Sequence, residues 1–143
     1  MKKLFSAVAS LAMIGSTFVG SAAMAQTGTY TGTADVFKGI PLNCTVSADF
    51  ASVPGKVVLG IVPPVASCAA LSITSNPHTF TLVGTTLTIH GVDVNTITGS
   101  GCTGDLVATF DNDVISINTS IPARPGDNTG DCTIESNAPH LNN

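Results

Sequence analysis

Four cysteines at positions 44, 68, 102 and 132, separated by 24, 34 and 30 residues, constrain this chain more than any other feature. They form no Cys-x-x-Cys pair and have no His-x-x-x-His beside them, so the spacing does not read as a zinc site. What precedes them decides their chemistry. Met1-Lys2-Lys3 is a short basic start, residues 4–19 are mostly apolar, and Ala23-Met24-Ala25 is a small-x-small cleavage site, the three parts of a secretory signal. No twin-arginine pair is present and no Cys follows Ala25, so the expected route is unfolded export without a lipid anchor, with the mature chain starting at Gln26. In an oxidising compartment Cys44, Cys68, Cys102 and Cys132 read as two disulfides, for which three pairings are open.

Taking residues 1–25 from 143 leaves 118, the size of one domain over 26–143, with a frayed tail expected from about 137. A domain this small buries only about two thirds of its unfolded surface. In the chain-entropy model, a crosslink closing a loop of this size contributes about 3 to 4 kcal/mol. The mature segment carries three basic residues, Lys38, Lys56 and Arg124, against nine acidic ones, a net charge of −6. Three scattered cations cannot neutralise a row of phosphates or hold the chain on anionic lipid, so nucleic acid and electrostatic membrane docking are poor partners. No apolar run after the signal approaches the roughly 20 residues needed to span a bilayer as a helix.

Composition points to strands. From Gln26 onward there are 18 Thr, with frequent Val, Ile and Gly and few of the residues that fill helices. Thr27, Thr29, Thr31 and Thr33 occupy alternate positions, which puts one hydroxyl row on a single wet face of the first strand. Further strands are expected at 42–50, 56–62, 70–74, 79–83, 86–94, 106–110, 114–118 and 132–136, each bounded by Gly, Pro, Asn or Asp. About nine short strands with regular turn signals indicate an all-β antiparallel sandwich or barrel. In 86–94 the apolar residues are odd-numbered through Ile89 and even-numbered from Val92, so the face flips unless one residue is inserted; a bulge is predicted at His90 and Gly91. Pairing Phe110 with Ile115 and Ala108 with Ile117 keeps apolar side chains together around a four-residue loop, 111–114. Such hairpins favour Cys44 with Cys68 and Cys102 with Cys132, although strand order decides the matter.

Chemistry is sparse. There is no Gly-x-Ser-x-Gly elbow and no visible triad, and His78, His90 and His140 read as solvated turn or tail residues. Asp111 and Asp113, with Asp105, Asp127 or Asp131 nearby, offer a weak calcium reading, but Asp and Asn populate hairpin turns for backbone reasons alone. Neither an iron facial triad nor a flavin or haem motif occurs, so no cofactor is expected. The first strand, with Thr27, Thr29, Thr31 and Thr33, has no cysteine and few large side chains. It reads as a weakly held sheet edge through which copies could assemble. The run from Val57 to Val62, followed by Pro63-Pro64, is either an exposed apolar patch or, more in keeping with its composition, a strand buried on both faces.

Leu42-Asn43-Cys44-Thr45, Cys68-Ala69-Ala70-Leu71, Gly84-Thr85-Thr86-Leu87-Thr88-Ile89, Cys102-Thr103-Gly104-Asp105-Leu106-Val107 and Gly130-Asp131-Cys132-Thr133-Ile134 occur in an order and spacing that resemble the small secreted bacterial proteins called protein activator of alkane oxidation. The resemblance spans about residues 36–136. It implies an extracellular, non-enzymatic factor that assists the use of water-insoluble hydrocarbon at an interface or the cell surface, and it supplies no catalytic residues. The competing expectation is a matrix, biofilm or fibre subunit that self-associates through sheet edges.

Overall fold

The computed structural model describes residues 28–62, 68–97, 100–137 and 141–143. The expected signal, Thr27, Pro63-Pro64 and His140 lie outside the described residues. Ten strands form one antiparallel sheet: β1 (Thr29–Phe37), β2 (Pro41–Asp49), β3 (Val58–Val62), β4 (Leu71–Thr74), β5 (Phe80–Val83), β6 (Thr86–Thr96), β7 (Gly101–Asp111), β8 (Val114–Ile121), β9 (Cys132–Ser136) and β10 (Leu141–Asn142). A 3₁₀ turn, Cys68–Ala70, precedes β4.

The neighbour order is β3-β2-β1-β10-β8-β7-β6-β4. Two positions in the sheet are each filled by a pair of short strands. β9 and β10 both lie between β1 and β8, and β4 and β5 both pair with β6 on the side away from β7. The sheet curls until its ends meet. Val57 and His78 exchange backbone hydrogen bonds of 2.9 and 2.8 Å, and the Asn76 side chain bonds both the N–H and the C=O of Leu59. Inside, period-2 alternation delivers one continuous core from nearly every strand, including Tyr30, Ala34, Val46, Leu59, Leu87, Ile89, Val92, Leu106, Ile115, Ile121 and Leu141. Four aromatic rings cross one end of it in edge-to-face contact: Phe80 to Phe50 at 5.1 Å, Phe50 to Tyr30 at 5.8 Å, and Tyr30 to Phe110 at 5.8 Å.

Both disulfides join Cys44 to Cys68 and Cys102 to Cys132, the pairing the hairpins favour. The bulge also stands where the face flip requires it. Ile89 pairs with Leu106 and Val92 with Gly104, so His90 and Gly91 together oppose Asp105, and Gly91 takes a φ of 64°. Phe110 faces Ile115 and Ala108 faces Ile117 as expected, but pairing continues to Asp111 and Val114. The loop is therefore two residues, Asn112 and Asp113, with φ of 49° and 59°, rather than four. Both positive angles match the mirror-image turn whose twist suits a hairpin, and Asn and Asp tolerate them.

Further expectations are corrected. Thr29, Thr31 and Thr33 do face solvent, but β1 is no edge: it pairs with β2 along its whole length and with β9 and β10 on its other side. Tyr30, Ala34 and Val36 supply the inward row that a reading centred on threonine overlooked. Within the tail expected to fray, Leu141 is buried and pairs with Ile115 while Asn142 pairs with Thr31. His78 is not solvated either; it is 3% exposed, held by its backbone bridge to Val57.

Candidate functional site

Between the turn joining β1 to β2 and the residues Ile97 and Ser100 that follow β6 and precede β7 lies an apolar cleft of about 250 Å³. Val36, Leu42, Ala70 and Leu71 line it, with Ile40 and Ile97 on its rim. Ile97 is 80% exposed and Ile40 is 69% exposed, the two most exposed large apolar side chains described. Local bonding explains Ile97. Thr96 N–H and Oγ1 both donate to the Ser100 carbonyl at 2.9 Å, closing the turn, while Ile97 N–H donates to Ala70 C=O at 3.0 Å and orients the side chain outward.

A polar clamp backs the cleft and converges on Gly101. Its N–H donates to Asp127 Oδ2 at 3.0 Å, and its carbonyl accepts from Arg124 N–H at 3.0 Å and from Lys38 Nζ at 3.4 Å. Lys38 Nζ also lies 3.0 Å from Asp127 Oδ2, with side-chain exposures of 4% and 9%, and donates to the Gly130 carbonyl. Arg124 bonds Asp93 Oδ1, its Nε at 3.1 Å, and Asp93 further accepts from Thr103 at 2.9 Å and Thr74 at 3.0 Å. A Cβ on Gly101 would stand 2.5 Å from the Val94 carbonyl oxygen and 2.9 Å from Arg124 Cζ, so only glycine fits.

The charges settle accordingly. Hydrogen bonds from the Thr129 hydroxyl and N–H, and from Lys38, hold the Asp127 carboxyl well below the usual range. At Asp93 burial works against ionisation, but the bonds from Arg124, Thr103 and Thr74 outweigh it and its carboxyl is also held low. Two of the three basic residues after the expected signal are thus neutralised at this end, and Lys38 contributes its aliphatic stem to the cleft while its ammonium is turned into the clamp.

The cavity described in the barrel interior is much smaller than the cleft. It is about 40 Å³, lined by Val36, Ile73, Ile89, Leu106, Ile117, Leu141 and other mostly apolar residues. Admitting even benzene takes an apolar void of roughly 150 Å³. Within the run that begins at Val57, Val57 and Leu59 are buried and Ile61 packs against the core, so these three form no surface patch. The sequence reading missed Ile40 and Ile97, although an Ile in each of two turns otherwise made of Lys, Gly, Thr and Ser was a visible signal.

The other candidates are placed as follows. Asp111 ends β7 beside the β7–β8 turn and Asp113 lies within it, Asp105 bonds His90 and Gly91, and Asp131 accepts from Ala123 N–H. Among the described residues no group of three or more metal-ligating side chains comes together. His90 was missed as part of a contact chain, its Nδ1 lying 3.1 Å from Asp105 Oδ2 and its Nε2 3.3 Å from Thr81 Oγ1. The order resembles nucleophile, base and orienting acid. None of the three lines either cavity above, and Asp105 Oδ1 accepts from Gly91 N–H at 3.1 Å, so the array as seen fastens the bulge. The Gly91 N–H and then His90 keep the Asp105 carboxyl low. No described helix is long and apolar enough to cross a membrane.

These features define a disulfide-crosslinked all-β protein built from one curled antiparallel sheet with an apolar mouth at one end. Within that class the chain belongs to the family described as "Alkane oxidation protein activator PraA/PraB-like", whose model matches residues 1–140, nearly the whole chain. Comparison with curated proteins and with solved structures returned no match.

Proposed function

We propose that this chain is a secreted protein without catalysis of its own that promotes contact between cells and water-insoluble hydrocarbon, and that it does so through the cleft rimmed by Ile40 and Ile97. The family description supports the hydrocarbon link. The observation that carries the site is the exposure of two isoleucines on facing turns beside a floor of Val36, Leu42 and Leu71. Keeping such side chains in water is unfavourable by about 25 cal/mol per Å² of apolar surface, and an oil surface or alkyl chain relieves it. The clamp at Gly101 holds both turns in place, and the disulfides preserve the fold at a boundary that unfolds weaker domains.

The test is interfacial tension and emulsion lifetime with a liquid alkane, comparing protein starting at Gln26 with an Ile40→Asp, Ile97→Asp double variant. Both positions are exposed, so the variant keeps its fold. The native protein should stabilise the emulsion and the variant should not. A native protein no better than an inert globular protein of equal size, or a variant equal to native, removes the reading.

A further inference from the structure

Among the described strands, β5 has an edge that faces no other described part of the sheet along its whole length. His90 N–H donates to Thr79 C=O at 2.9 Å, which fixes the alternation of the β5–β6 ladder. Thr81 and Val83 bond across to Thr88 and Thr86, so the N–H and C=O groups of Phe80 and Leu82 point away from β6. The other outer strands are covered. Val57 and Leu59 on the β3 side are occupied by His78 and Asn76, and β4 packs beside β3 across the same seam.

The usual protections of an open edge are missing here. Phe80–Val83 contains no Lys, no Pro and no charge, and Val83 is 67% exposed. The facing stretches of β6 and β7, from Thr86 to Ile89 and from Leu106 to Thr109, are also uncharged, and Val107 is exposed among them. The first ionisable side chains beyond are His90 and Asp105, which contact each other, and Glu135, which shares a surface pocket with Thr86, Val107 and Thr109. In a mature chain of net charge −6, a charge-free three-strand face is where a second copy approaches with least repulsion.

We propose that β5 is a homotypic docking edge, at which Phe80–Val83 of one copy adds antiparallel to Phe80–Val83 of a second. The outward groups set the register: Phe80 pairs with Leu82 of the second copy and Leu82 with its Phe80, and the two Thr81 residues face each other on the two-fold axis without exchanging backbone bonds. Four backbone hydrogen bonds result. Because the contact is self-complementary and occupies this edge in both copies, assembly through it stops at a dimer and does not propagate into a filament. The inference is independent of the hydrocarbon reading.

Two measurements test it on protein starting at Gln26. Sedimentation over rising concentration should show a monomer–dimer equilibrium whose dissociation constant rises at least tenfold in Thr81→Lys and in Val83→Lys, both solvent-facing changes. In a thiol–disulfide buffer, Thr81→Cys should give a crosslinked dimer at least tenfold faster than Thr31→Cys, an exposed position on interior strand β1. A native protein that stays monomeric to millimolar concentration overturns the proposal, as do lysine variants that associate like native or cysteine variants that crosslink at equal rates.

Discussion

The side-chain amide of Asn76 binds Leu59 as a neighbouring strand would, Oδ1 accepting from the Leu59 N–H at 2.9 Å and Nδ2 donating to its C=O at 2.8 Å. It thereby satisfies two backbone groups of β3 at the point where the sheet closes on itself. Asn76→Ala leaves both without their partner and should cost about 1 to 3 kcal/mol, with faster amide exchange at Leu59 and little change at Leu106 in the middle of the sheet. Equal acceleration at both sites would mean that the amide does not hold the seam.

Acid sensitivity should trace to Asp127, Asp93, Asp105 and Asp49, whose carboxyls are all held below their ordinary range. For a depressed carboxyl, the unfolded chain binds protons first as pH falls, so the stability it confers is full above about pH 4 and is lost as pH drops through the folded value. Urea midpoints measured from pH 6 to pH 2 should decline below about pH 4. Asp127→Asn should start lower at pH 6 and decline less steeply.

Two glycines separate conformational strain from steric exclusion. At Gly91 a Cβ meets nothing within 4 Å, so Gly91→Ala suffers only the positive φ, about 1 to 2 kcal/mol. At Gly101 the Cβ would strike the Val94 carbonyl and the Arg124 guanidinium. Gly101→Ala should therefore be the more destabilising of the two in urea unfolding, and it should also loosen the clamp behind the cleft.

Removing either disulfide as a double Cys→Ala variant should lower stability by about 3 to 4 kcal/mol in the chain-entropy model. The closed loops span 24 and 30 residues, too similar to separate the two by loop length. A large inequality in calorimetry would have to come from native-state contacts.

Much of this fold was legible because the determining signals are local. The change of parity between Ile89 and Val92 marks the bulge, and the match of Phe110 with Ile115 sets a hairpin register, since both depend on neighbours in the chain. Strand order is not local. Nothing between Thr29 and Phe37 announces that β9 and β10 will return to cover its far side, so the first strand was read as an edge although it lies inside the sheet. β10 is two residues long, too short to carry a period. The seam at Asn76 and the clamp around Gly101 join residues far apart in sequence, and a lone Asn, Lys or Arg gives no sign of its distant partner.

The described ends of the chain meet: Asn143 Oδ1 would stand 3.2 Å from a Cβ placed on Gly28. From there β1 runs nine residues, about 30 Å, to the turn that carries Ile40. A tether attached at Gly28 or at Asn143 therefore departs from one pole and holds the isoleucine-rimmed mouth at the other, like a lamp on a stalk with its open side facing away from the mooring.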